Sequence, residues 1–287
     1  MKIQFKNTYL TLLALAALFT MGCEETVTLD LGQLEERVVI EGLVTNEQNG
    51  HFVKLTRTRN FYSTGPAERI QDATVSVSDD NGNTYQFVHN PMGTADDNGF
   101  YYPQTNFQGQ VGTTYSLSVV VDGEQYGASE ELLPVTAIDS LTVIIDEEEL
   151  EDPEEEGRFY EVLFYASEPQ DRKDQYLFKF YNNGEIVKDF PTDIYFSDDD
   201  LLGERIDDLE IAGFYKLGEM VEVEMYSLTQ EAFIFYSDLF NLLNNDGGMF
   251  SPPPADPRNN LSNGALGYFQ VSSVSREQIM IEEPEDN

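Results

Sequence analysis

Apolar and polar residues alternate along most of this chain, and the alternation stops at short runs of Gly, Asn and Asp. A period of two marks strands that keep one face on a core. Arg37 to Thr45 begins the pattern, with Val38, Ile40, Leu43 and Val44 as apolar positions, and Asn46-Glu47-Gln48-Asn49-Gly50 turns it. Phe52, Lys54, Thr56 and Thr58 then alternate with Val53, Leu55, Arg57 and Arg59. Ala73 to Ser78 sets Val75 and Val77 on one face, Asp80-Asn81-Gly82-Asn83 turns, and Thr84 to Val88 resumes. An Asn-Gly pair between alternating runs is a strong hairpin signal. Gly99 to Tyr102, Thr113 to Val121 and Glu124 to Ala128 complete the set, with Asp122-Gly123 as the tight turn between the last two. Short strands with a turn about every ten residues predict a β-sandwich over residues 37–135.

After Leu133-Pro134-Val135 a second β-rich unit is expected, over residues 136–281. Ala137 to Ile145 opens it, and Phe159 to Ala166, Gln175 to Tyr181 and Glu185 to Asp189 read as further strands. Asp146 to Gly157 between them is too acidic to bury and predicts a projecting hairpin loop. Asp193 to Gly213 has no clean period. Glu219 to Tyr226 alternates, with Val221, Val223 and Met225 facing one way and Glu222 and Glu224 the other. The period then changes. Ala232, Phe233, Tyr236, Leu239, Phe240 and Leu243 recur at helical spacing, behind Thr229 as a cap and ahead of Asn244-Asn245-Asp246-Gly247-Gly248 as a stop. This one amphipathic helix, near 230–244, is expected to close an end or a side of the β-structure. Ala265 to Ser272 can return as a strand, and residues 282–287 form an acidic tail.

The start of the chain has a different pattern. Lys2 and Lys6 precede an apolar run from Leu10 to Phe19, broken only by Thr11. That is the layout of a secretory signal, residues 1–22, and the run is shorter than the roughly 20 apolar residues a membrane span needs. It ends at Gly22-Cys23, which resembles the bacterial lipobox, with Thr20 where Leu is commonest. Cys23 is the chain's single cysteine and has no internal partner for a disulfide. Lipidation of Cys23 accounts for it; a free or buried thiol is the alternative. Two or three acyl chains on one residue would hold the protein on a membrane, where one alone binds reversibly. Residues 23–36 then form a lipidated tether. Its Glu24-Glu25 resembles the acidic export signals of surface-exposed Bacteroidota lipoproteins, and a solvated linker is the alternative.

Charge narrows the partners. The formal net charge is −37, and loss of the two leader lysines takes it to −39. Nucleic acid is excluded as a partner, because neutralising phosphates takes Lys and Arg. An anionic membrane surface also repels such a body, so the lipid on Cys23 must make the membrane contact alone. The apolar content is ordinary, which places the acid on a folded surface.

Several stretches carry resemblances. Ile70-Gln71-Asp72-Ala73-Thr74-Val75-Ser76-Val77, Gly99-Phe100-Tyr101 and Gly112-Thr113-Thr114-Tyr115-Ser116-Leu117 resemble strands of prealbumin-like and carboxypeptidase-regulatory-like domains. Gly22-Cys23, Val38 to Asn46, Pro134-Val135 with Ile138-Asp139-Ser140-Leu141, and Asn263 to Phe269 together resemble a family of Bacteroidota lipoproteins classed as a domain of unknown function. The resemblance implies an outer-membrane lipoprotein, often encoded beside a TonB-dependent receptor, and it brings no catalytic residues. The acid of Asp146 to Glu156 departs from the family pattern. The expected fold is mainly β: an Ig-like or prealbumin-like sandwich, then a β-rich domain with one amphipathic helix.

Candidate chemistry is sparse. His51 and His89 are the two histidines, and no Cys or His stands at metal-ligand spacing to either. No Gly-x-Ser-x-Gly elbow is present. Asp79 to Asn83 and Asp96 to Gly99 look like calcium loops but fail the EF-hand spacing, and read as turns. Asp198, Asp199, Asp200, Asp207 and Asp208 are calcium candidates, with a solvated acidic loop as the alternative. Asp139-Ser140-Leu141 fits a periplasmic O-glycosylation pattern at Ser140, or a plain strand start. Asn60-Phe61-Tyr62 and Phe100-Tyr101-Tyr102 are either aromatic binding surface or packing. The function expected is a non-enzymatic outer-membrane lipoprotein, without cofactor, serving a TonB-dependent transporter as accessory or ligand-capture partner. A structural or adhesive surface protein is the alternative.

Overall fold

The computed structural model describes residues 36–59, 65–151, 155–198, 205–245, 247 and 255–284. Strands form where the alternation places them: β1 (Val38–Thr45), β2 (Phe52–Arg57), β3 (Thr74–Asp79), β4 (Thr84–His89), β5 (Phe100–Pro103), β6 (Thr114–Val121) and β7 (Glu124–Glu131). Asp122 and Gly123 both take positive φ, 52° and 84°, which suits the two-residue hairpin between β6 and β7.

Further along come β8 (Ile138–Ile145), α1 (Glu147–Glu151), β9 (Tyr160–Ser167), β10 (Gln175–Asn182), β11 (Glu185–Val187), β12 (Tyr195–Asp198), β13 (Arg205–Glu210), β14 (Met220–Ser227), α2 (Gln230–Leu243), β15 (Leu266–Ser272) and β16 (Val274–Met280). The acidic stretch after Ile145 does connect a hairpin, since β8 and β9 pair antiparallel. It opens with the short α1, whose Glu149 amide donates to Asp146 Oδ1 at 2.7 Å. The stretch without a clean period holds β12 and β13, and β13 carries a bulge between Ile206 and Leu209.

Three sheets result. The first has eight strands in the order β15-β1-β2-β5-β4-β3-β6-β7. It folds over on itself, so inward side chains such as Ile40, Leu55, Val77, Leu117 and Phe269 meet in one core. The second, β11-β10-β14-β16 with β12 beside β10, faces the three-stranded β13-β9-β8. Between these two lies another core, with Val162 and Phe164 against Phe178, Val221, Val223 and Met225. The class is the mainly β, sandwich-like one that the alternation predicts.

The first sheet's eighth strand comes from the far end of the chain. β15 pairs parallel with β1, Ile40 opposite Gly267. Gly267 has φ +95°, and a Cβ there would overlap the Ile40 carbonyl. Only glycine permits that close approach. Gly42 is similar in kind: a Cβ would lie 2.7 Å from the Phe269 ring.

Helix α2 begins as its sequence predicts. Thr229 is extended at φ −73°, ψ 163°, and its hydroxyl accepts from the Ala232 amide. Leu228, Ala232 and Phe235 join Leu43 of β1, Leu177 of β10, Tyr226 of β14 and Tyr268 of β15 in a third apolar cluster. The helix therefore packs on the outer faces of the first and second sheets together, where the sequence alone predicts only that it closes an end or a side.

Candidate functional site

Strand alternation explains the site under α2. On β10, Tyr176, Phe178 and Phe180 enter the core between the second and third sheets, so Leu177, Lys179 and Tyr181 point the other way. That outward face, together with the outward face of β1 and β15, lies beneath the helix. Packing there is incomplete. A cavity of about 470 Å³ remains, walled by Leu43, Phe52, Phe235, Leu239 and Tyr268, with Lys179, Tyr236 and Gln270 as polar groups. Cavities of about 300–1,000 Å³, mainly apolar with a few placed polar groups, are typical of small-molecule sites.

Most of the polar wall is internally satisfied. Tyr236 donates to Gln270 Oε1 at 2.5 Å, and Gln270 Nε2 donates to Ser272 Oγ at 2.7 Å. Burial raises the Tyr236 pKa, with Glu130 and Glu41 adding to the shift, so its hydroxyl stays protonated. Two wall carboxylates sit in ion pairs, Glu41 with Lys54 at 2.7 Å and Asp256 with Arg37 at 2.5 Å. Lys179 differs. Its Nζ lies 4.5 Å from the centre of the Tyr226 ring and has no hydrogen bond or ion pair among the described residues.

Lys179 stands at one end of a charged row. It is the register partner of Glu224 on β14, and Glu224 is the partner of Arg276 on β16. Glu224 is 3% exposed. One of its oxygens pairs with Arg276, and the other accepts from Tyr181 at 3.1 Å and Tyr226 at 2.6 Å. Arg276 also forks onto both oxygens of Glu47, at 3.0 and 2.9 Å. The capacity of Glu224 is thus taken up by other donors. Burial lowers the Lys179 pKa, Glu224 opposes that shift and Arg276 adds to it.

At the helix N-terminus, against the capping Thr229, is a second buried carboxylate. Glu130 near the end of β7 is 6% exposed. It accepts from the Val271 amide at 2.8 Å, from the Tyr268 hydroxyl at 2.9 Å and from the Thr229 hydroxyl. β7 and β15 are the two edges of the first sheet, and Glu130 ties them where no continuous ladder runs. Gly127 with Ser262 and the Leu133–Ser272 bridge continue that seam. Burial pushes the Glu130 pKa up to about 7, and the three donors only partly offset it. No cation among the described residues neutralises it.

None of the described residues singled out from sequence as site candidates lines this cavity. Cys23, Asp199, Asp200 and Asn60-Phe61-Tyr62 lie outside the described residues. Asp198 ends β12, Asp207 pairs with Arg205 at 3.0 Å, and Asp208 accepts from Tyr165 at 2.5 Å. Among the described residues no three Asp, Glu, His or Cys side chains converge as metal ligands. Ser140 is exposed, at a bulge on β8. Asp79 to Asn83 is a hairpin turn, with the Asn83 amide donating to Asp79 Oδ1 at 2.8 Å. His51 is 2% exposed and stacks on Phe107 at 4.1 Å. Its Nδ1 accepts from the Thr45 amide, which leaves Nε2 to donate to the Phe107 carbonyl, and burial lowers its pKa. Tyr101 is core, donating to the Ile70 carbonyl at 3.1 Å.

Sequence reasoning missed Glu130, Lys179, Glu224 and Arg276. Polar residues at alternate strand positions read as solvated, and the one available signal was Lys179 standing amid the aromatics of Tyr176 to Tyr181. No helix among the described residues is long and apolar enough to cross a membrane. Residues 24–278 match the model of a family described as Domain of unknown function (DUF4249), and no curated protein matches.

Proposed function

We infer that this chain, which belongs to the DUF4249 family, is a lipid-tethered, non-enzymatic binding protein of the outer membrane that captures a small ligand for a TonB-dependent transporter. The cavity under α2 carries the reading. It is concave, mostly apolar, and furnished with a tyrosine, an amide, a cation and two ion-paired carboxylates, the furnishing of a site that holds rather than transforms. The Gly22-Cys23 junction behind an apolar leader supports the tether. The acidic body supports a protein held off the surface by its anchor. Localisation to the outer membrane, on either of its faces, belongs to the same proposal.

Two measurements test it. Affinity purification of the lipidated protein from membranes should recover a TonB-dependent receptor; repeated recovery of the protein alone would count heavily against the partnership. Cys23→Ala should appear in the soluble fraction, whereas retention in the membrane fraction would overturn the tether.

A further inference from the structure

We propose that Lys179 is the anion anchor of the cavity under α2, and that the ligand is a small amphipathic organic anion, a singly charged head on an apolar body. The proposal rests on reading the cavity as a capture site, and adds which chemistry it selects.

Three charged side chains line the cavity. Glu41 and Asp256 are already paired, so neither offers an open charge to a cationic ligand. Of the three, Lys179 alone has no counter-ion among the described residues, although Glu224 is its register partner on the next strand. Glu224 is fully engaged by Arg276, Tyr181 and Tyr226. Glu224 therefore leaves the ammonium over the Tyr226 ring at 4.5 Å rather than in an ion pair. A half-buried ammonium with a ring below it and a void beside it has donors to spare, and an entering anion supplies the missing acceptor. One ammonium matches one negative charge. The rest of the wall is apolar, with Leu43, Phe52, Phe235 and Leu239 to cover the ligand's body. Tyr236 already donates to Gln270 and the Gln270 amide to Ser272, so the head is held by charge more than by a hydrogen-bond code. The net charge of −37 repels anions from the body at large, which makes a single anion site the more selective.

Two dyes with the same skeleton separate the terms. 8-Anilino-1-naphthalenesulfonate carries one anionic group, and N-phenyl-1-naphthylamine is the same molecule without it. Both would be titrated by fluorescence into the mature chain carrying Cys23→Ala, which leaves off the lipid, and into the same chain with Lys179→Met, Lys179→Arg or Leu239→Trp. Each variant would first be checked for a wild-type-like melting transition. The expected result is one sulfonate site that weakens about ten- to a hundredfold in Lys179→Met. Lys179→Arg should restore most of it, the neutral dye should not distinguish Lys179 from Met, and Leu239→Trp should weaken both dyes by filling the void. Equal sulfonate binding with and without Lys179 would overturn the anion anchor and leave the capture site standing. If neither dye binds, or Leu239→Trp weakens neither, the capture reading falls and this inference with it.

Discussion

Two regions near α2 each bury a glutamate, and they treat it in opposite ways. At the seam of the first sheet, Glu130 is surrounded by neutral donors: an amide, a tyrosine and the threonine that caps the helix. On the outer face of the second sheet, Glu224 is held by a guanidinium as well as two tyrosines. Neutral donors satisfy lone pairs without returning the solvation energy of the charge, so the Glu130 carboxyl is pushed up to about 7. A cation offsets charge with charge, and its removal leaves a buried anion behind. The seam is therefore sensitive to pH, and the row is sensitive to mutation. The row also bears on the proposed site, because Arg276 engages Glu224 and Lys179 has no ion pair among the described residues.

The sharpest break in the comparison is to open the seam itself. Gly267→Val should cost about 4 kcal/mol or more, since a side chain at positive φ must displace the Ile40 carbonyl and with it the β1–β15 pairing. Denaturant unfolding would read this; a midpoint near wild type would mean that β15 does not hold the sheet as described. Next comes the row. Arg276→Met should cost about 3 kcal/mol by stranding Glu224, and adding Glu224→Gln should recover much of it. If the double variant is no more stable than the single one, charge is not what Arg276 contributes.

Glu130 gives a prediction with a sign. Its folded pKa is raised above the unfolded value, so its contribution is fully present below about pH 4.5 and is lost as pH rises through about 7. The loss is on the order of 2–3 kcal/mol. Glu130→Gln should remove this part of the pH dependence, making the variant more stable relative to wild type at pH 8 than at pH 5. Melting temperatures across that range decide it, and parallel curves would refute the burial argument. The smallest effect expected is Thr229→Ala, about 1–2 kcal/mol, which removes the helix cap and one donor to Glu130 together. In the Glu130→Gln background that cost should change, whereas in the Glu224→Gln background it should not.

Much of the fold can be read from residues alone, and particular positions show why. The alternation of Val221, Val223 and Met225 places β14, and Thr229 with its helical spacing places α2, because both signals are local. The site is less legible. Glu222 and Glu224 share a face opposite the core in the sequence pattern, and that is correct, yet Glu222 stays half-buried at the surface while Glu224 is enclosed by Tyr181, Tyr226 and Arg276. Period-two patterning distinguishes two faces of a strand and is silent on what covers the outer one. The parallel pairing of β15 with β1 is equally hidden, since each strand reads as a strand without naming its partner.

What the amino-acid sequence determined by itself is local: strands from alternation, turns from Asn, Asp and Gly, one helix from its cap and spacing, and the lone Cys23 after an apolar run. Such features depend on backbone preferences and near neighbours. Only the tertiary structure decided that β15 returns to β1, that α2 lies across two sheets, and that Lys179 faces a void without a counter-ion among the described residues. Those outcomes depend on which distant surfaces meet, and burial, which sets the charge state of Glu130 and the isolation of Lys179, exists only once they have met.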